Sequence, residues 1–384
     1  MKILFFTCFF QQGYGVHLVI KKQLQGLLAN GFKELYVAVR DFDEKENETL
    51  DENVTIFKAG SDYQSVRDIM MKVKPGIVIV HTPPYWPHIA RFNEFFTIKI
   101  AYDYGDPFPT FYEGKEKKER ENSDKAKYNE MPNYHAHISI SEFIKRCSGI
   151  SNSIVIYCGA DHADEQKNQD ECNIRDFLGL KKNSFIISSL SRIGIGESFY
   201  KGFDALIRIK NLVLAKLENK NIVFIIMGKS IPKGNKIEKM LVNSGFSLLE
   251  DVDEKMKKSI LKQSDIFISP SLWEGFNLPL VEAQYMGTPS LCFSIGAHPE
   301  VCPFHFVNVE ELVNFIILLY DNHQLRRKYG YICRDYVKKK FKWENNVNML
   351  ITILKECMRQ REKLPTLKIQ KSLGTYKKLE GSTK

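Results

Sequence analysis

No apolar run in this chain reaches the roughly 18 residues that a membrane-spanning helix needs, so no such helix is expected. The apolar start, Met1-Lys-Ile-Leu-Phe-Phe-Thr-Cys-Phe-Phe10, is followed by glutamines and a glycine loop, with no small-residue cleavage site. It therefore reads as a first strand and not as a secretory leader. The eight cysteines form no Cys-x-x-Cys pair and no regular framework, which excludes a disulfide scaffold and fits buried, reduced thiols in a cytoplasmic protein. Without secretion, the acceptor-like triplets Asn47-Glu-Thr49 and Asn53-Val-Thr55 carry little meaning. Excess positive charge is also scarce over the body of the chain. Residues 1–160 carry 20 Lys/Arg and 20 Asp/Glu, residues 161–360 carry 28 and 24, and residues 361–384 carry 7 and 2. More than half of the net +9 thus sits in a short tail, which argues against a basic groove for nucleic acid. The tail is either a solvated end or a segment suited to an anionic membrane surface.

What is present is alternation of strand and helix over 384 residues, a length that favours two domains. Ile3-Leu-Phe-Phe6 is a continuous apolar run, as in a strand buried on both faces. Gly13-Tyr-Gly15 and an amphipathic helix over 17–29 follow, then a strand over 34–39. A strand–helix–strand opening of this kind forces a parallel sheet, so the fold class is α/β. A glycine loop between first strand and first helix is a place for phosphates. Gly13 and Gly15 lack the third glycine of a dinucleotide fingerprint, and no ribose-binding acid follows in register, so NAD binding is weakly supported. Further strands read at 54–57, 76–80 and 98–106, with a helix over 62–73. Residues 111–130 are a charged segment, either a loop or an exposed helix. His135 and His137 suggest a metal only weakly, because no third ligand accompanies them.

A second strand–helix series begins at 184. Its densest stretch runs Ser269-Pro-Ser-Leu-Trp-Glu-Gly-Phe-Asn-Leu-Pro-Leu-Val-Glu282 after a strand over 265–269. Pro279 suits a first helical turn, since it lacks the N–H that a helix start leaves unpaired. Glu274 lies on the loop and Glu282 early in the helix. A carboxylate accepts two hydrogen bonds at once and so suits vicinal hydroxyls of a sugar or ribose. Gly275 would let a ligand approach the backbone. On spacing alone, two helix-start acids stabilised by the dipole explain the pair equally well.

The whole stretch resembles the Glu-x7-Glu motif of the retaining glycosyltransferases of family 4, with Gly287-Thr-Pro289 and Gly296-Ala-His-Pro-Glu-Val301 in matching places. The resemblance covers almost the whole chain to about residue 360 and is strongest over 184–345. It implies a GT-B fold: two doubly wound Rossmann-like domains facing a central cleft. The implied division is an acceptor-side domain over 1–160, a nucleotide-sugar domain over 161–341, a helix over 342–360 crossing back to the first domain, and the basic tail over 361–384. The resemblance also implies transfer of a hexose-type sugar from a nucleotide-diphosphate sugar to a hydroxyl acceptor, a glycan or a lipid-linked one, in the making of cell-surface polysaccharide, lipopolysaccharide or glycolipid. Glu274 would lie at the donor sugar, the amides of Gly275, Phe276, Asn277 and Leu278 at sugar and phosphate, and Glu282 at the ribose. Gly13 and Gly15 would face the donor phosphates. Arg192 and Lys201 would grip the diphosphate and stand in for a metal, so neither metal nor cofactor is expected. Asp41-Phe-Asp43 and Asp251-Val-Asp253 fit an Asp-x-Asp pattern but not a donor loop.

Three departures mark the sequence. Asn277 replaces a common glycine. The residues over 194–200 lengthen the gap between Arg192 and Lys201. Tyr102 precedes Asp103 where the family often has a histidine, which leaves His81 and Asp103 as candidates for orienting the acceptor. The segment over 246–250 is expected to be the loop that meets the base. Two other readings stay open: a nucleotide-sugar epimerase of the same fold, and a non-catalytic sugar-nucleotide or glycan-binding protein.

Overall fold

The computed structural model of the chain describes residues 1–11, 13–42, 51–164, 172–218 and 220–363. Most of the basic tail, the triplet at 47–49, Asp43 and part of the stretch between the two series lie outside the described residues.

The first half runs β1 (Ile3–Phe10), α1 (Gly15–Ala29), β2 (Leu35–Phe42), β3 (Val54–Lys58), α2 (Tyr63–Val73), β4 (Ile77–Val80), α3 (Tyr85–Arg91), β5 (Ile98–Asp103), α4 (Gly114–Asn129), β6 (Ala136–Ser139), α5 (Glu142–Ser148) and β7 (Ile154–Val155). These strands form one seven-stranded sheet in the order β3-β2-β1-β4-β5-β6-β7, parallel throughout. The charged segment over 111–130 is thus largely the helix α4. Asp62 accepts from the Ser65 N–H and Ser141 from the Ile144 N–H, so α2 and α5 start where their capping side chains stand.

The second half runs α6 (Ile174–Phe177), β8 (Phe185–Leu190), β9 (Ile193–Gly194), α7 (Ile195–Ser198), α8 (Phe203–Lys216), β10 (Ile222–Gly228), β11 (Ser230–Ile231), α9 (Lys236–Asn243), β12 (Ser247–Glu250), α10 (Glu254–Gln263), β13 (Ile266–Ser269), α11 (Leu278–Tyr285), β14 (Ser290–Phe293), α12 (His298–Val301), β15 (His305–Phe306), α13 (Val309–Asp321), α14 (His323–Lys340) and α15 (Trp343–Lys363). A six-stranded parallel sheet has the order β12-β10-β8-β13-β14-β15. The residues that lengthen the gap after Arg192 form the end of β9, which pairs with β11, and the short helix α7. One expectation is corrected here. The segment expected to be a base-contacting loop is instead the edge strand β12.

Side chains alternate faces along each strand, so each sheet sorts its apolar residues into two layers. Leu4, Phe6, Val78 and Val80 pack against α2 and α3 on one face of the first sheet. Ile3, Phe5, Ile77 and Ile79 pack on the other face against α1, in a cluster that continues through Leu350 and Leu354 of α15 into Ile186, Phe267 and Val281 of the second domain. Ile187, Ile226 and Ile268 pack on the far face of the second sheet with α8 and α13. The last helix, α15, lies along α1, where Val347 covers Gly26 so closely that no side chain would fit there.

In each sheet the strand order reverses beside its first strand, between β1 and β4 and between β8 and β13. Loops leaving the C-terminal ends at such a point form the usual ligand crevice of open α/β sheets. Here the two crevices face each other.

Candidate active site in the interdomain cleft

On the second domain, β8 delivers Arg192 and β13 delivers the loop to Glu274. Lys201 sits on the turn before α8. Gly202 there has φ +66 and lies hard against the Pro270 carbonyl, a place with no room for a Cβ. The Leu272 N–H donates to the Tyr200 carbonyl at 2.7 Å, so the two loops are strapped together. The strap sets Lys201 Nζ 2.7 Å from Glu274 Oε1, and Ser271 Oγ donates to the same oxygen at 2.8 Å. Among the described residues Oε2 has no partner. Burial pushes the Glu274 carboxyl up. The Lys201 ammonium, the His298 imidazole and the two hydrogen bonds outweigh it and hold the group below its ordinary range.

Asn277 has φ +81, the left-handed conformation in which glycine is at ease. Its replacement of glycine therefore leaves the turn intact. Asn277 Oδ1 caps α11 by accepting from the Leu280 N–H at 3.2 Å, and Nδ2 donates to Ser269 Oγ at 2.7 Å and to His298 Nε2 at 2.9 Å. Phe276 turns inward against Phe341 at 5.2 Å between ring centroids, so only its backbone is available to a ligand. At Gly275 the Tyr104 carbonyl of the first domain stands where a Cβ would be, so glycine is needed there for the two domains to meet.

Glu282 is buried on α11. His162 Nε2 donates to its Oε1 at 2.8 Å, and Lys257 Nζ lies 3.2 Å from its Oε2. Burial raises this carboxyl, but the Lys257 ammonium and His162 overcome that and hold it down at about 2.

The first domain meets these groups with its glycine loop. Gly13 has φ +92, and the position of a Cβ on Gly15 lies 3.1 Å from Leu278 Cδ1. Arg192 stands over the Tyr14 ring at 5.3 Å and lies 3.5 Å from Glu197. Gly15, Arg192, Lys201, Glu274, Gly275 and Leu278 are thus drawn to one cleft by contacts across it or between its loops, while Gly13 sits in the same glycine loop with open space where a side chain would stand.

Asp103 is placed differently. Its carboxylate is fully buried in the first domain, 2.5 Å from Lys127 Nζ of α4, and accepts from the Gly105 N–H at 2.8 Å. Tyr102 is buried between His81 and Tyr104, with centroids at 4.9 and 5.3 Å. His81 shares a 2.8 Å hydrogen bond with Tyr104 through Nδ1, and burial drives its imidazole down to about 3. His137 bonds Ser153 at 2.8 Å and His135 accepts from the Lys99 N–H at 3.1 Å, so each is held by its own neighbour. Glu300, in the stretch over 296–301, crosses the cleft to accept from the N–H groups of Glu142 and Phe143 at 2.8 and 2.6 Å.

This architecture is shared with solved structures. Sucrose-phosphate synthase from Thermosynechococcus elongatus superposes with a TM-score of 0.77 over 94% of this chain and 99% of that one, at 14% identity. Anabaena HepE in complex with UDP and glucose gives 0.72 over 92% and 99%, at 16% identity. The fold is GT-B. In this GT-B chain, residues 187–322 match the family model described as glycosyl transferases group 1. An uncharacterized 41.2 kDa protein of the cps region of Klebsiella pneumoniae is 27% identical over 221 residues, 54% of this chain and 57% of that protein. The O-antigen biosynthesis glycosyltransferase WclY of Escherichia coli is 27% identical over 208 residues, 51% and 55% of the two chains. The chain thus spans little more than half the length of these curated relatives.

Sequence reasoning missed His162, Lys257 and the cleft-spanning role of Glu300. His162 and Lys257 lie 120 and 25 positions from Glu282, and no local pattern links them. Glu300 stood in the quoted motif, but only its partners reveal what it does.

Proposed function

We propose that this chain is a retaining glycosyltransferase. It moves a hexose-type sugar from a nucleoside-diphosphate sugar to a hydroxyl of a glycan or lipid-linked acceptor, in cell-surface glycan synthesis, and needs no metal. The observation that carries the reading is the pairing of Lys201 with Glu274, with Arg192 on the adjoining loop, inside a GT-B cleft. The match to glycosyl transferases group 1 and the O-antigen relative support it.

Glu274 receives hydroxyls of the donor sugar on its open oxygen. Arg192 and Lys201 stabilise the charge that grows on the departing diphosphate, the first bidentately and the second as a point charge. The acceptor oxygen attacks from the face the diphosphate leaves, through an oxocarbenium-like state. The carbon–oxygen bond to the diphosphate breaks as the new glycosidic bond forms, and the leaving phosphate oxygen takes the acceptor proton. Glu282 receives the ribose hydroxyls. The closed cleft excludes water that would hydrolyse the donor. The basic tail gives peripheral contact with an anionic membrane, which sedimentation with acidic vesicles of the full chain and of a chain ending at 363 would test.

Thermal unfolding against uridine, guanosine and adenosine diphosphate sugars, with and without a chelator, tests the reading. A donor at a hundredfold excess over its Kd should add about 2.7 kcal/mol, a shift of roughly 5–10 °C for a domain of this size. A chelator-insensitive shift with one nucleotide is expected. No shift with any of them would overturn the assignment of Arg192, Lys201 and Glu282. Glu282→Ala should mainly weaken nucleotide binding and Glu274→Ala mainly slow turnover.

A further inference from the structure

Glu282 is not a lone acid waiting for a ligand. It is the end of a chain of hydrogen bonds that begins where the polypeptide passes between the domains. The outgoing pass is at 159–164 and the returning pass at 341–343. They lie side by side: the Ala160 N–H donates to the Phe341 carbonyl at 3.0 Å, and Asp161 Oδ1 accepts from the Trp343 N–H at 2.8 Å at the start of α15. Gly159 is packed so tightly on Trp343 that no Cβ fits. From this junction the Trp343 indole N–H donates to His162 Nδ1 at 3.0 Å, and His162 Nε2 donates to Glu282 at 2.8 Å.

The donor inventory fixes the direction of this chain. An indole nitrogen only donates, so His162 Nδ1 must accept and the ring proton must sit on Nε2. That proton points at Glu282 Oε1, and Lys257 Nζ sits at Oε2. A carboxylate offers about four acceptor positions. One on each oxygen is filled by the protein, which leaves one on each for a pair of vicinal hydroxyls.

We propose that His162 is a positioning residue for nucleotide binding, with its tautomer set by Trp343. It fixes the rotamer of Glu282 so that the two remaining acceptor positions meet the ribose, and it ties that geometry to the seating of the interdomain junction. The proposal rests on the reading of Glu282 as the ribose acceptor. Its consequence is that nucleotide affinity depends on a tryptophan whose indole bonds His162 and which belongs to neither donor-binding loop.

The test is calorimetric titration of the full chain with UDP, GDP and ADP, paired with steady-state kinetics. His162→Leu should weaken the nucleotide that binds wild type by about tenfold or more, as for loss of a hydrogen bond to a charged group. His162→Gln should recover most of that loss, because its amide N–H reaches the same carboxylate. Trp343→Phe keeps an aromatic side chain, smaller than the indole, and loses the donor, and should cost about 2–10-fold. In all three, KM for the donor should rise while kcat at saturating donor stays within about twofold. Should His162→Leu fail to fold, Trp343→Phe and His162→Gln decide the matter. Wild-type affinity and KM in Trp343→Phe, or losses in His162→Gln as large as in His162→Leu, would overturn the proposal. Glu282→Gln separates the two readings. If it binds nucleotide like wild type, the ribose assignment falls and this inference with it. If it binds weakly while Trp343→Phe is unchanged, only this inference falls.

Discussion

The two faces of the cleft are built on opposite principles. The second-domain face holds charges in pairs, Lys201 with Glu274 and Lys257 with Glu282. The first domain buries a stacked group of His81, Tyr102 and Tyr104 behind its face, and likewise keeps its charged pair, Asp103 with Lys127, beneath the surface. Charges fixed at a site are useful where charge develops during a reaction, since they need no reorganisation when it does. Under the proposed function, charge stabilisation falls to the second domain.

Removing the buried cation of the first face gives the largest expected effect. Lys127→Met leaves Asp103 charged and unpaired, at a cost of about 3–5 kcal/mol in urea unfolding. Turnover of the folded fraction should stay near wild type; a collapse of turnover with stability intact would make the first face a charged catalytic surface after all. On the second face, Lys201→Ala should slow sugar transfer by about 10²–10³-fold, measured as kcat at saturating donor. A change below threefold would erase the contrast between the faces.

The contact between the faces can be broken next. Gly275→Ala drives a methyl into the Tyr104 carbonyl and should cost about 1–3 kcal/mol, with an increase in radius of gyration by solution scattering as the cleft opens. Gly15→Ala meets only the tip of Leu278, at 3.1 Å, and should do less.

Acid sharpens the comparison. Burial depresses His81 to about 3, His137 to about 4 and His298 to about 4, from an ordinary 6.5. The folded state stays neutral where the unfolded state takes up protons. This contribution is complete above pH 6.5 and is lost as pH falls from 6.5 towards 4, by about 1.4 kcal/mol per pH unit for each histidine. Glu282, held at about 2 against an ordinary 4.5, adds a further loss only as pH falls below 4.5. His81→Phe should therefore flatten the stability profile between pH 6.5 and 4. Asn277→Gly relieves the left-handed strain but removes the cap and leaves Ser269 Oγ and His298 Nε2 without their donor, so it should destabilise by about 1–3 kcal/mol in urea unfolding.

Much of the fold was legible because its determinants are local. Buried runs such as Ile77–Val80, and Pro279 at the start of α11, are each read over a few residues. The Glu274–Glu282 spacing was legible for the same reason, since one loop and one helical turn fix it. The backbone conformation of Asn277 was not, because it depends on Ser269 and His298, neither of which neighbours it in the chain.

By itself, the sequence determined the strand–helix alternation, the parallel sheets that follow from it, and the two carboxylates flanking a helix start. These depend on periodicity and on hydrogen bonds between near neighbours. The tertiary structure alone decided which side chains those carboxylates face: Lys201 from 73 positions away, His162 from 120, and Tyr104 pressed on Gly275 from the other domain. It also decided that Asp103 would be sealed by Lys127. Burying a charge is costly unless a partner arrives, and only the folded chain determines which partner that is.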